Sequence, residues 1–143
     1  MFYKRRDYAN VDNGRNPIIA HDDIGNDVSG KDIFVADDII ATGDSMLKLC
    51  VELKERGADK IFLSATYALF TEGLQKFRDA YDKGLFTAVV STNLTYATPE
   101  LLKEEWFVQA DMSKFMAYIM AACNPGYSIS TLLDPHDKIH ELI

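Results

Sequence analysis

Apolar residues along this chain fall into two kinds of pattern. Some form short solid runs rich in β-branched and aromatic residues. Others recur every third or fourth position between those runs. The runs predict buried strands over residues 32–36, 60–66, 86–92 and 106–110. Met46, Leu49, Cys50 and Leu53 keep helical spacing, which predicts an amphipathic helix over 45–56 with Gly57 at its end. Leu74, Phe77, Ala80 and Tyr81 predict a second helix over 71–82, closed by Gly84. Thr98-Pro99-Glu100 reads as a helix cap followed by proline at the first helical position, opening a short helix through Glu104. A further helix is expected over 112–123, broken at Asn124-Pro125-Gly126, and a last short one over 135–142. Pro17 to Ala20 is a candidate short strand, and residues 22–31 a polar connection. Residues 1–15 carry turn formers and clustered charge and read as a loop. Strand and helix alternate with short links, so the fold class is α/β, a parallel sheet flanked by helices.

Composition narrows this picture. A chain of 143 residues with 48% apolar content fits one domain with a sizeable core. The net charge of −7 leaves no basic stripe for a nucleic-acid groove, although one small phosphate needs only local donors. No apolar run is long enough to span a bilayer, and MFYKRRDY lacks the apolar core of a signal peptide. A cytoplasmic protein without membrane or nucleic-acid partners is expected. Cys50 and Cys123 sit among helical apolar spacing and read as buried, reduced thiols. His136 and His140, and His21 beside Asp22-Asp23, read as solvated surface features rather than metal sites.

One stretch carries chemistry: Ile33 to Met46, IFVADDIIATGDSM. In open α/β sheets ligands bind beyond the carboxyl ends of the strands. Asp37 and Asp38 are expected there, just after the strand. The small turn Ala41-Thr42-Gly43-Asp44-Ser45 leads into a helix, whose free first-turn amides and positive dipole end attract a phosphate. Carboxylates accept hydrogen bonds from sugar hydroxyls or hold a divalent metal. Together these residues read as a site for a phosphorylated sugar.

The stretch resembles the binding signature of type I phosphoribosyltransferases and of the ribose-phosphate pyrophosphokinases (phosphoribosyl pyrophosphate synthetases). FYKRRDY resembles the pyrophosphokinases' Lys-Arg-Arg segment, which belongs to a flexible catalytic loop. ATYALFTEGLQKF and STNLTYATPE resemble later parts of the same family. The resemblance implies a partial type I phosphoribosyltransferase-like (Rossmann-like) domain over 26–143, lacking its amino-terminal portion, and a flexible catalytic-loop-like arm over 1–25. It implies transfer of a pyrophosphoryl group from ATP to the C1 hydroxyl of ribose 5-phosphate, giving phosphoribosyl pyrophosphate and AMP. ATP is then the co-substrate and Mg2+ the cofactor. Lys4 and Arg6 are the implied catalytic residues, offsetting charge on the transferring phosphates. Asp37 and Asp38 bind the ribose hydroxyls and are the implied Mg2+ ligands. Ala41, Thr42, Gly43, Asp44 and Ser45 hold the 5-phosphate.

The chain departs from the family in two ways. The pyrophosphokinase loop usually reads Asp-Thr-Ala-Gly-Thr, so Ala41 removes a carboxylate here and Asp44 adds one. Family members are also much longer. This chain is therefore expected to be a carboxy-terminal fragment, inactive alone and self-associating through uncovered surfaces into a homo-oligomer. The alternatives are a small purine-type phosphoribosyltransferase, for which no hood over a base is evident, and a non-catalytic regulatory subunit that binds phosphoribosyl pyrophosphate.

Overall fold

The computed structural model describes residues 2–6, 18–23 and 27–140, the first two segments by their backbone. The elements follow the chain as β1 (Phe2–Arg6), β2 (Ile18–Asp23), β3 (Ile33–Ile40), α1 (Asp44–Glu55), β4 (Ile61–Ala68), α2 (Gln75–Asp82) and β5 (Ala88–Thr92). A 3-10 turn over Leu101–Lys103 precedes β6 (Phe107–Ala110), α3 (Ser113–Cys123), α4 (Ser130–Leu133) and α5 (His136–His140). β3, β4, β5 and β6 form a parallel sheet in that order. β1 and β2 pair antiparallel with each other.

Alternation along the strands separates the two faces of the sheet. Ile61, Leu63 and Ala65 on β4 and Val89 and Ser91 on β5 are buried. The apolar four of these join one cluster with Met46, Cys50 and Leu53 of α1, Phe77 and Ala80 of α2, and Trp106. Each large apolar side chain removed from water in this way contributes roughly 1.5–3 kcal/mol. The core is strongly aromatic. Phe77 stacks on Trp106 at 5.7 Å between centroids, and Phe70 and Phe86 meet the pair edge-on. The opposite face is laid out by the register: Phe34, Phe62 and Ala88 share one row, and Ala36, Ser64, Val90 and Val108 the next. It is far less covered, with Phe34 66% and Val108 49% exposed. α3 buries none of its residues. Both cysteines are free thiols; Cys50 is buried as expected, but Cys123 is exposed against expectation, because α3 buries none of its residues.

Several expectations need correction. Residues 2–6 were expected as loop and form a strand, held by pairing with Ile18–Asp23 despite their charge. β3 runs four residues past its expected end, because its backbone keeps pairing with Ala65, Tyr67 and Ala68 after the apolar run stops. Asp37 and Asp38 therefore lie within the strand. α2 begins later than expected, since Gly73 at φ 79° makes a turn first. The Thr98 hydroxyl accepts the Leu101 amide at 3.2 Å as a cap should, but what it caps is a single 3-10 turn. α4 was not foreseen. It is four residues long and has too little sequence to show a period.

Candidate functional site

The carboxyl end of β3, the following turn and the start of α1 enclose a cleft of about 380 Å3 lined by residues 37–46. All of Asp37, Asp38, Ala41, Thr42, Gly43, Asp44 and Ser45 border it, so the structure brings these sequence-derived candidates together. Lys4 and Arg6 lie on β1, with backbone partners His21 and Ile18 on β2, and their side chains fall outside the described residues.

The turn owes its shape to Gly43. Its φ of 83° is left-handed, and a Cβ built there would lie 2.3 Å from the Phe77 ring. Only glycine meets both demands. The loop therefore rests directly on the aromatic core. A second brace comes from the β4–α2 connection. The Leu69 amide donates to the Ile40 carbonyl at 2.8 Å, and the Thr71 amide to the Ala41 carbonyl at 3.0 Å. Between them Phe70 takes φ 45°, an uncommon conformation for a bulky residue. It sets the Phe70 ring 4.8 Å from Phe77.

Gly43, at the N-cap of α1, supplies no side-chain hydrogen bond. First-turn amides have no intrahelical carbonyl to meet; the Asp44 amide donates to the Thr42 hydroxyl oxygen at 3.4 Å, which leaves those of Ser45 and Met46 for an anion at the cleft. The carboxylates of Asp37 and Asp38 are exposed at its other side, and the Asp37 carboxylate accepts the Asp38 amide at 2.9 Å. Among the described residues, no group of three or more histidine, cysteine, aspartate or glutamate side chains converges as a metal-ligand set. Exposed aspartate carboxylates are hard oxygen donors of the kind that hold a magnesium ion whose remaining ligands come from substrate and water.

Asp44 is the electrostatic exception. Its Oδ2 accepts the Thr42 hydroxyl at 3.0 Å, and its Oδ1 meets the Lys76 ammonium at 2.7 Å. Lys76 also pairs with Glu72 at 2.5 Å. The Lys76 hydrogen bond, aided by the Thr42 hydroxyl, holds the Asp44 carboxyl below the usual carboxylate range, against a smaller opposing effect of burial. Lys76 is raised in turn by Asp44 and Glu72. Neither Lys76 nor Phe77 was identified from the sequence. They lie more than 30 positions downstream of the turn, and nothing local to them signals the contact.

Comparison with known proteins gives these residues a context. Residues 13–133 match the family described as the phosphoribosyl synthetase-associated domain. A ribose-phosphate pyrophosphokinase of Shewanella oneidensis is 32% identical over 129 residues, which is 90% of this chain and 38% of that one. One of Thermococcus kodakarensis is 39% identical over 82 residues, 55% of this chain and 29% of that one. The chain thus spans less than two-fifths of the length of these relatives. The crystal structure of phosphoribosylpyrophosphate synthetase from Mycobacterium smegmatis shares the fold, with a TM-score of 0.60, 20% identity, and coverage of 78% of this chain and 34% of that one. The expected carboxy-terminal placement of the chain within such an enzyme is not borne out by these matches.

Proposed function

This chain belongs to the phosphoribosyl synthetase-associated domain family, and from that membership and the cleft we propose that it is the ribose 5-phosphate-binding part of a ribose-phosphate pyrophosphokinase. The observation that carries the reading is the arrangement at the carboxyl end of β3. Two carboxylates, a turn shaped by a left-handed glycine and the start of a helix line one cleft. The first-turn amides of α1, with the turn over residues 41–45, hold the 5-phosphate. Asp37 and Asp38 accept the ribose hydroxyls and are the ligands for Mg2+. When bound, the ion offsets charge on the phosphoryl oxygens.

In the whole enzyme the reaction is transfer of pyrophosphate from ATP to the C1 hydroxyl. It needs positioned cations, and Lys4 and Arg6 are assigned that part, on an arm over 1–25 beside the α/β domain over 26–143. The isolated chain is assigned no turnover, because it spans less than two-fifths of the length of the pyrophosphokinases it matches. The protein is placed in the cytoplasm as a homo-oligomer. Among the described residues no helix is long and apolar enough to cross a membrane.

Calorimetric titration with ribose 5-phosphate, with and without magnesium, tests the reading. Saturable binding that Asp37→Asn with Asp38→Asn abolishes is expected. Absence of binding under every condition overturns it. A coupled assay for AMP is expected to detect none from this chain alone.

One observation favours a second reading, a non-catalytic subunit that binds phosphoribosyl pyrophosphate. Asp44 brings a carboxylate to the phosphate side of the cleft and occupies the Thr42 hydroxyl. Replacing Lys4 and Arg6 by alanine in the full-length protein separates the two. Lost turnover with retained ribose 5-phosphate binding supports the enzyme, and an unchanged phenotype supports the subunit.

A further inference from the structure

Asp44 stands at the boundary of two concavities. One is the cleft of residues 37–46, and the other is a groove between α1 and α2 that Lys76, Lys48 and Lys83 also border. Its side chain is fixed from both directions, by the Thr42 hydroxyl from the loop and by the Lys76 ammonium from α2. Both partners of the Asp44–Lys76 pair are over two-fifths exposed, and ion pairs so exposed add little to stability. The consequence of the pair therefore lies in where it puts a negative charge. A carboxylate at the first helical position competes with any incoming phosphate for the same positive helix end. It also takes the hydroxyl proton that Thr42 could otherwise donate to a phosphate oxygen.

We infer that Lys76 is a specificity-determining positioning residue for the phosphate cradle. It draws the Asp44 carboxylate toward α2 and neutralises it, and so lets a dianionic phosphate enter beside an acidic side chain. This rests on the reading of the turn as a phosphate cradle. Glu72 shares the ammonium, so the cluster of Glu72, Asp44 and Lys76 carries one net negative charge. Removing Lys76 takes that cation from both carboxylates, of which Asp44 borders the cleft. Lys76 itself touches no substrate in this scheme, because its reach is spent on Asp44 and Glu72.

The test is a double-mutant cycle read by ribose 5-phosphate titration. K76M is expected to weaken binding about tenfold, the scale of one charge a few ångströms away screened as in water. K76R should stay close to the parent, since it keeps the cation. D44N should bind as tightly as the parent or more tightly. D44N with K76M should match D44N alone, since without the carboxylate there is nothing left for the lysine to restrain. Thermal melting identifies any variant that fails to fold, and K76Q replaces K76M in that case. Equal weakening by K76M with and without D44N would assign Lys76 to the phosphate directly and overturn the inference. So would an unchanged K76M. Binding by D44N but not by the parent would show that Lys76 fails to neutralise Asp44, overturning the inference while leaving the cradle standing. Binding by no variant would overturn both.

Discussion

At the scale of single residues, Gly43 is the most constrained position in the cleft. It combines a left-handed φ of 83° with contact against a buried ring. Gly43→Ala adds left-handed strain of roughly 1–2 kcal/mol to overpacking of typically about 1–3 kcal/mol. Urea denaturation should show a loss within the sum of those ranges, accompanied by weaker phosphate binding. A loss of only about 1–2 kcal/mol, the strain alone, would mean that the Phe77 ring yields freely, contrary to the packing seen. Asp44 supplies a prediction in pH. Its folded carboxyl is depressed, chiefly by Lys76, so its contribution is present above the unfolded value of about 3.9 and fades as pH falls through the folded one. The melting-temperature advantage of the parent over D44N should shrink between about pH 6 and pH 3. The advantage is small, because the side chain is 45% exposed. A difference that stays constant over that range would show that the carboxylate gains nothing from its partners.

At the scale of elements, Asn93 ties together the ends of β5 and β6 and the start of α3. Its side chain donates to Asp111 at 2.7 Å and accepts the Met112 amide at 2.8 Å, while its own amide donates to the Ala110 carbonyl. Asn93→Ala should lose about 1–2 kcal/mol in chemical denaturation, the range for removing one partner of paired polar groups. An unchanged midpoint would mean that water replaces the side chain without loss. The same scale shows what could be read from sequence. The central strands and α1 were legible, because Ile61-Phe62-Leu63 and Met46, Leu49, Cys50 and Leu53 carry their periods in contiguous residues. The far half of β3 was not. Its backbone ladder is indifferent to side-chain polarity, so Asp37 and Asp38 interrupt the pattern without interrupting the strand. β1 was illegible for the same reason: its partner strand, not its own Lys4-Arg5-Arg6, makes it extended. In the cleft, the turn and the carboxylates were legible as one local string. Lys76, Phe77 and the bracing amides of Leu69 and Thr71 were not, because they reach the turn through the fold alone.

At the scale of the whole molecule, the sheet is covered unequally. One face carries the aromatic core, while the other leaves Phe34 and Val108 in water; Tyr118 and Met120 of α3 are exposed as well. β3 is also an edge of its sheet. Exposed edges and apolar faces favour association. Sedimentation velocity should show the average mass rising with concentration, and Phe34→Lys with Val108→Lys should lower it. A single monomeric boundary at every concentration would overturn the assignment of a homo-oligomer.

The two thiols also turn the chain into its own reporter. Burial pushes Cys50 up to about 12, so at neutral pH it is both shielded and protonated, whereas Cys123 is open to solvent. An alkylating reagent should therefore consume one equivalent at once and the second only as fast as α1 opens. Since α1 starts at Asp44, that slow second equivalent clocks the helix whose first turn frames the cleft. Any ligand that settles at the helix start should lengthen the wait, giving a binding signal that needs no label and no turnover.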